Sequence, residues 1–69
     1  MKLSARNQLK GKIKSIQEGT VNGIVTIDIG GGNDITATIS MSSIKDLGLQ
    51  VGKDAYAIIK ATSVMVGID

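Results

Sequence analysis

The chain has no cysteine and no histidine, and Tyr56 is its single aromatic residue. Each absence removes a class of function. Without Cys there is no thiol chemistry, no thiolate metal site and no disulfide scaffold. Without His or Cys, proton transfer or nucleophilic attack near neutral pH would fall to a perturbed carboxylate or lysine. Asp28, Asp34, Asp46 and Asp54 all sit beside turns, at element ends or on a solvent face, where carboxylates are ordinarily solvated. The expectation is therefore not an enzyme. No run approaches the roughly 20 apolar residues of a membrane span. The first ten residues, MKLSARNQLK, carry Lys2 and Arg6 but no apolar stretch that could serve as a signal-peptide core. A soluble, cytoplasmic protein with no membrane partner follows as an expectation.

Size sharpens the reading. A chain of 69 residues is expected to be one domain spanning 1–69, and a domain that small buries only about 60% of the surface its unfolded form exposes. Disulfides and structural metals have nothing here to be built from, so association with further copies is the expected support. The net charge of +2, from 8 Lys and Arg against 6 Asp and Glu, is too mild to name a polyanionic partner.

What is present reads mainly as strand. Leu9 to Ile16 alternates Lys10, Lys12 and Lys14 against small or apolar neighbours, a strand period. After turn signals at Glu18-Gly19-Thr20 and Asn22-Gly23, the β-branched run Ile24 to Ile29 predicts a second strand. Gly30 to Asp34 predicts a hairpin connection, and the returning strand Ile35 to Ile39 would turn Ile35, Ala37 and Ile39 to the core. Met41, Ile44 and Leu47 recur at helical spacing, with Ser40 placed to cap and Gly48 to terminate. The last strand is expected to cover Ala55 to Ile68, apolar on both faces, the second of which would pack on another subunit. This order, with a long first strand able to bend at Gly11, predicts an all-β chain with one short helix: a small OB-like five-stranded barrel stabilised by oligomerisation.

Lys10, Lys12 and Lys14 invite an OB-fold nucleic-acid-binding reading, but the aromatic platforms on which single strands stack are missing. A solvated strand face that discourages edge-to-edge pairing accounts for them. The Gly30-Gly31-Gly32-Asn33 segment joins two strands rather than opening a helix, so it reads as a hairpin and not as a phosphate cradle.

Three features remain. Ser4 and Arg6 lie two residues apart before the first strand, on one side of an extended segment; an exposed N-terminal arm is the simpler account. Lys60 interrupts an apolar strand, where a lysine either meets an anion, snorkels to solvent or pairs with a carboxylate. Ser40 and Ser43 open the helix, where free N–H groups favour an anion, although ordinary capping would suffice for one of them. A structural interaction module, in which Arg6 and Lys60 pair with a partner's carboxylates, stays open on these residues alone.

The segment SARNQLKGKI at 4–13, IKAT at 59–62 followed by Val64, and LGLQVGK at 47–53 after a Ser-rich helix start together resemble the Mop or molbindin family and the molybdate-binding TOBE-type domains. The resemblance spans essentially the whole chain. It implies no cofactor, molybdate as ligand with tungstate also accepted, and a stand-alone binding and storage role. It further implies that Ser4 and Arg6 of one subunit meet Ser40, Ser43 and Lys60 of a neighbour, with the backbone N–H of Ala61 completing an oxyanion site. Ala5 flanks that site, and Asn7 would orient the segment rather than touch ligand. The family often has Thr where Ser40 stands, a change that keeps the hydroxyl. A homohexamer built as a trimer of dimers is also implied, with further anion positions on symmetry axes assigned to Thr20 and Val21.

Overall fold

In the computed structural model, which describes residues 1–69, the β-branched segments form strands β1 (Asn7–Gln17), β2 (Asn22–Gly30) and β3 (Asn33–Ser40), followed by helix α1 (Met41–Asp46) and strand β4 (Asp54–Ile59). A single 3-10 turn, Ala61–Ser63, comes last. All pairings are antiparallel, in the order β3-β2-β1-β4. β1 holds the sheet together by division of labour: its first half, Asn7 to Lys12, pairs with β4, and its second half, Lys12 to Gln17, pairs with β2.

The strand turns at that changeover. A side chain at Gly11 would overlap the carbonyl oxygen of Asp28 and press on Ile27, so only glycine lets β1 approach β2 this closely. A register shift between Ile13 and Ser15 adds a bulge, which bends a strand further. The loop before β4 closes over the bend: Ile13 N–H donates to Lys53 O (2.9 Å) and Gly52 N–H donates to Ile13 O (2.8 Å). We expect Gly11→Ala to cost at least the 1–3 kcal/mol typical of overpacking, because the neighbour is backbone rather than a movable side chain. Chemical denaturation would measure it, and an unchanged midpoint would refute the assignment.

Alternation builds the core as the residue pattern requires. β2 buries Gly23, Val25 and Ile27, and β3 turns Ile35, Ala37 and Ile39 inward. Ile44 of α1 packs against them. Ser40 caps the helix, accepting the Ser43 N–H at 3.0 Å. Gly48, at φ +63°, ends it by donating to Lys45 O. The helix stops one residue short of Leu47, which becomes its C-cap and stays exposed.

The C-terminus departs from the expected strand of Ala55 to Ile68. β4 ends at Ile59, opposite Asn7, the first residue of β1, so no ladder partner exists beyond it. The chain instead closes a turn, with Ser63 N–H donating to Lys60 O at 2.9 Å and Val64 N–H to Ala61 O at 3.3 Å. Residues 64–69 join no strand or helix, and Met65, Val66 and Ile68 are each more than 90% exposed. The sheet is accordingly a curled half-barrel of four strands rather than a closed barrel of five. Its concave side is a trough of about 650 Å³, almost wholly apolar and lined among others by Ile35, Ile39, Tyr56, Ile58 and Ile59. No helix is long and apolar enough to cross a membrane.

Candidate functional site

The N-terminal arm is fixed to the far end of β4 by two side chains of β1. Asn7 Nδ2 donates to Ile59 O across the ladder (3.2 Å), and Gln8 Nε2 reaches back to Ala5 O (2.9 Å). The arm thereby lies against the residues that follow β4. Ser4, Ala5 and Arg6 on one side and Lys60, Ala61 and Thr62 on the other line a single cleft of about 140 Å³. Arg6 and Lys60, 54 positions apart, thus face the same small space within one chain. The resemblance had implied that Lys60 comes from a neighbouring subunit; the register of Asn7 opposite Ile59 puts it beside Arg6 of its own.

The chemistry of this cleft is one-sided. No carboxylate lies within 4 Å of either cation, since the only ion pairs join Lys10 and Lys12 to Asp54 and Lys14 to Asp34. The alternative of Lys60 paired with a carboxylate is therefore not realised within the chain. The N–H groups of Ala61 and Thr62 meet no acceptor, because the turn uses only those of Ser63 and Val64. Two cations, two hydroxyls and two free amides, with no acidic side chain in the lining, make a set that donates hydrogen bonds.

The three β1 lysines are occupied differently. Lys12 Nζ lies 2.7 Å from Asp54 and Lys14 Nζ 2.9 Å from Asp34. The hydrogen bond from Lys12, reinforced by its charge and that of Lys10, lowers the Asp54 pKa. The hydrogen bond to Asp34 and its charge raise that of Lys14. These lysines are therefore held by carboxylates of their own chain. Tyr56, which would have to serve as a stacking platform, lines the apolar trough instead.

Ser40 and Ser43 are not in the cleft. The Ser40 hydroxyl donates to Ser43 Oγ at 2.9 Å at the start of α1. That corner also holds Thr20 and Val21, whose carbonyl accepts Met41 N–H at 2.8 Å. It sits at the Gln17 end of β1, whereas the cleft sits at the Asn7 end. An 11-residue strand spans on the order of 30 Å, so these serines cannot reach an ion held by Arg6 and Lys60 of the same chain. Thr62 is the lining residue that reading the sequence did not single out. The available signal was its place two residues beyond Lys60 in the IKAT segment.

Comparison with known proteins identifies the family. The TOBE domain profile matches residues 3–66. The chain belongs to the TOBE domain family. Over all 69 residues of both chains this TOBE protein is 67% identical to a probable molybdenum-pterin-binding protein of Haemophilus influenzae. Its fold superposes on MopII of Clostridium pasteurianum with a TM-score of 0.91 at 43% identity, covering 97% of this chain and 100% of that one. A molybdate-binding protein of Sporomusa ovata matches with a TM-score of 0.91 at 37% identity, covering 99% and 100%. Within the TOBE family the chain is thus of the Mop, or molbindin, type, as the SARN and IKAT segments suggested.

Proposed function

We propose that this protein binds molybdate without transforming it, holding the anion for storage or buffering at sites shared between copies of the chain. The observation that carries the proposal is the convergence of Arg6 and Lys60 on a cleft free of carboxylates. Molybdate at neutral pH is a tetrahedral dianion with four acceptor oxygens and no proton to donate. Two cationic side chains balance its charge, which limits the penalty of removing it from water. Ser4 and the Ala61 N–H add neutral donors, and each hydrogen bond to the charged ligand contributes on the order of 1.5–3 kcal/mol. Protonated phosphate carries a hydrogen that needs an acceptor, so a cleft without carboxylates disfavours it. Tungstate, of nearly the same size and charge, would be accepted.

Ser40 and Ser43 join this site only if a neighbouring copy supplies them, because the length of β1 separates them from Arg6 and Lys60 in one chain. Thr20 and Val21 share their corner and are the proposed lining of further anion positions on symmetry axes. Assembly has independent support in the uncovered apolar trough and in the exposed apolar residues of the 64–68 tail, which do not meet in one chain. We propose that the tail of one copy covers the trough of another, within a hexamer arranged as a trimer of dimers.

Native mass spectrometry after separate incubation with molybdate, tungstate, sulfate and phosphate tests both parts. The expected spectrum is a hexamer that retains molybdate and tungstate but not phosphate. A monomer, or a hexamer retaining none of the four, would end the proposal.

A further inference from the structure

We propose that Thr62 contacts the anion, its hydroxyl donating to one oxygen of a tetrahedral oxyanion held by Arg6 and Lys60. The inference rests on reading the cleft as an anion site and adds a residue to it. Thr62 is one of the six residues that line the cleft. Its hydroxyl makes no hydrogen bond within the protein, and its side chain is exposed and contributes nothing to the core. The 3-10 turn of Ala61–Ser63 separates Thr62 from its neighbour in role: Ser63 closes the turn with its N–H and stays out of the lining.

The arrangement is also two-sided. The arm brings a cation and a hydroxyl, Arg6 and Ser4; the opposite wall brings Lys60, and Thr62 is its one hydroxyl. A tetrahedral anion presents oxygens to both walls at once, so donors on each side are needed to satisfy it. The β-branched Thr62 side chain has few χ1 choices, which lowers the ordering cost of aiming its hydroxyl.

Isothermal titration of sodium molybdate into the assembled protein tests this with Thr62→Val, which keeps the shape and removes the hydroxyl, Thr62→Ala, Thr62→Ser, and Arg6→Ala as the reference. The expected result is about tenfold weaker binding for Val and Ala, the factor that about 1.4 kcal/mol represents. The Ser variant should bind within about twofold of the parent, with unliganded melting temperatures unchanged throughout. Parent-like affinity in both Val and Ala while Arg6→Ala loses binding would overturn the role of Thr62 and leave the anion site standing. A parent protein that binds no molybdate would remove the site and Thr62 together. Should Val lower the unliganded melting temperature, the Ala variant decides between the two outcomes.

Discussion

Lys60→Ala is expected to weaken molybdate binding by roughly ten- to a hundredfold, and the double variant Arg6→Ala, Lys60→Ala to abolish it. Each side chain provides hydrogen bonds to a charged ligand worth about 1.5–3 kcal/mol, and every 1.4 kcal/mol is a factor of ten. Removing one cation also leaves a dianion facing a single positive charge, so the losses of the pair should not be smaller than their sum. Neither residue is held by a protein partner, and both are exposed. The unliganded protein should therefore melt within the narrow range of surface substitutions, about 0.5 kcal/mol. Ligand should restore the contrast by mass action, since a hundredfold excess over Kd adds about 2.7 kcal/mol to the folded, ligand-competent state. A melt of the parent that does not move with molybdate, or a Lys60→Ala variant that binds as tightly as the parent, would refute the assignment of this cleft.

How far these features could be read before folding depends on whether they are local. The alternation of β2 and β3, the Ser40 cap and the Gly48 terminator are set within a few residues of themselves, and the structure reproduces them, whereas the need for glycine at position 11 comes from Asp28, 17 positions away. The C-terminal segment fails for the opposite reason. Its β-branched composition predicts a strand to Ile68, but a strand needs a partner, and β1 offers none beyond Asn7. The meeting of Arg6 and Lys60 is likewise non-local, resting on a register between residues 52 apart. Spacing alone left the SARN segment as an exposed arm. Family resemblance brought the two cations together but divided them between subunits, because it supplied the partners without the register. The relation of Thr62 to the cleft is not legible in the sequence because it comes from a turn where the composition predicts a continuous strand.

Under the proposed tail-in-trough assembly, deleting residues 64–69 is expected to leave monomers that aggregate or melt several degrees lower. The tail is apolar yet unprotected: Met65, Val66 and Ile68 are exposed above 90% and Val64 at 48%. The trough is apolar and uncovered at the same time. Fully burying an exposed side chain of this kind is worth about 1.5–3 kcal/mol, so Met65, Val66 and Ile68 bring on the order of 4.5–9 kcal/mol of gross burial to each tail. Each kcal/mol of it that survives the ordering cost shifts a domain of this size by roughly 4–8 °C. The same tail begins at Val64, whose N–H donates to Ala61 O and closes the turn that carries Lys60 to Thr62. Loss of assembly should consequently weaken molybdate binding as well, even though no cleft residue has been removed. Light scattering coupled to gel filtration reads the mass directly. A truncated chain that still runs as the full oligomer would show that the tail is not what covers the trough.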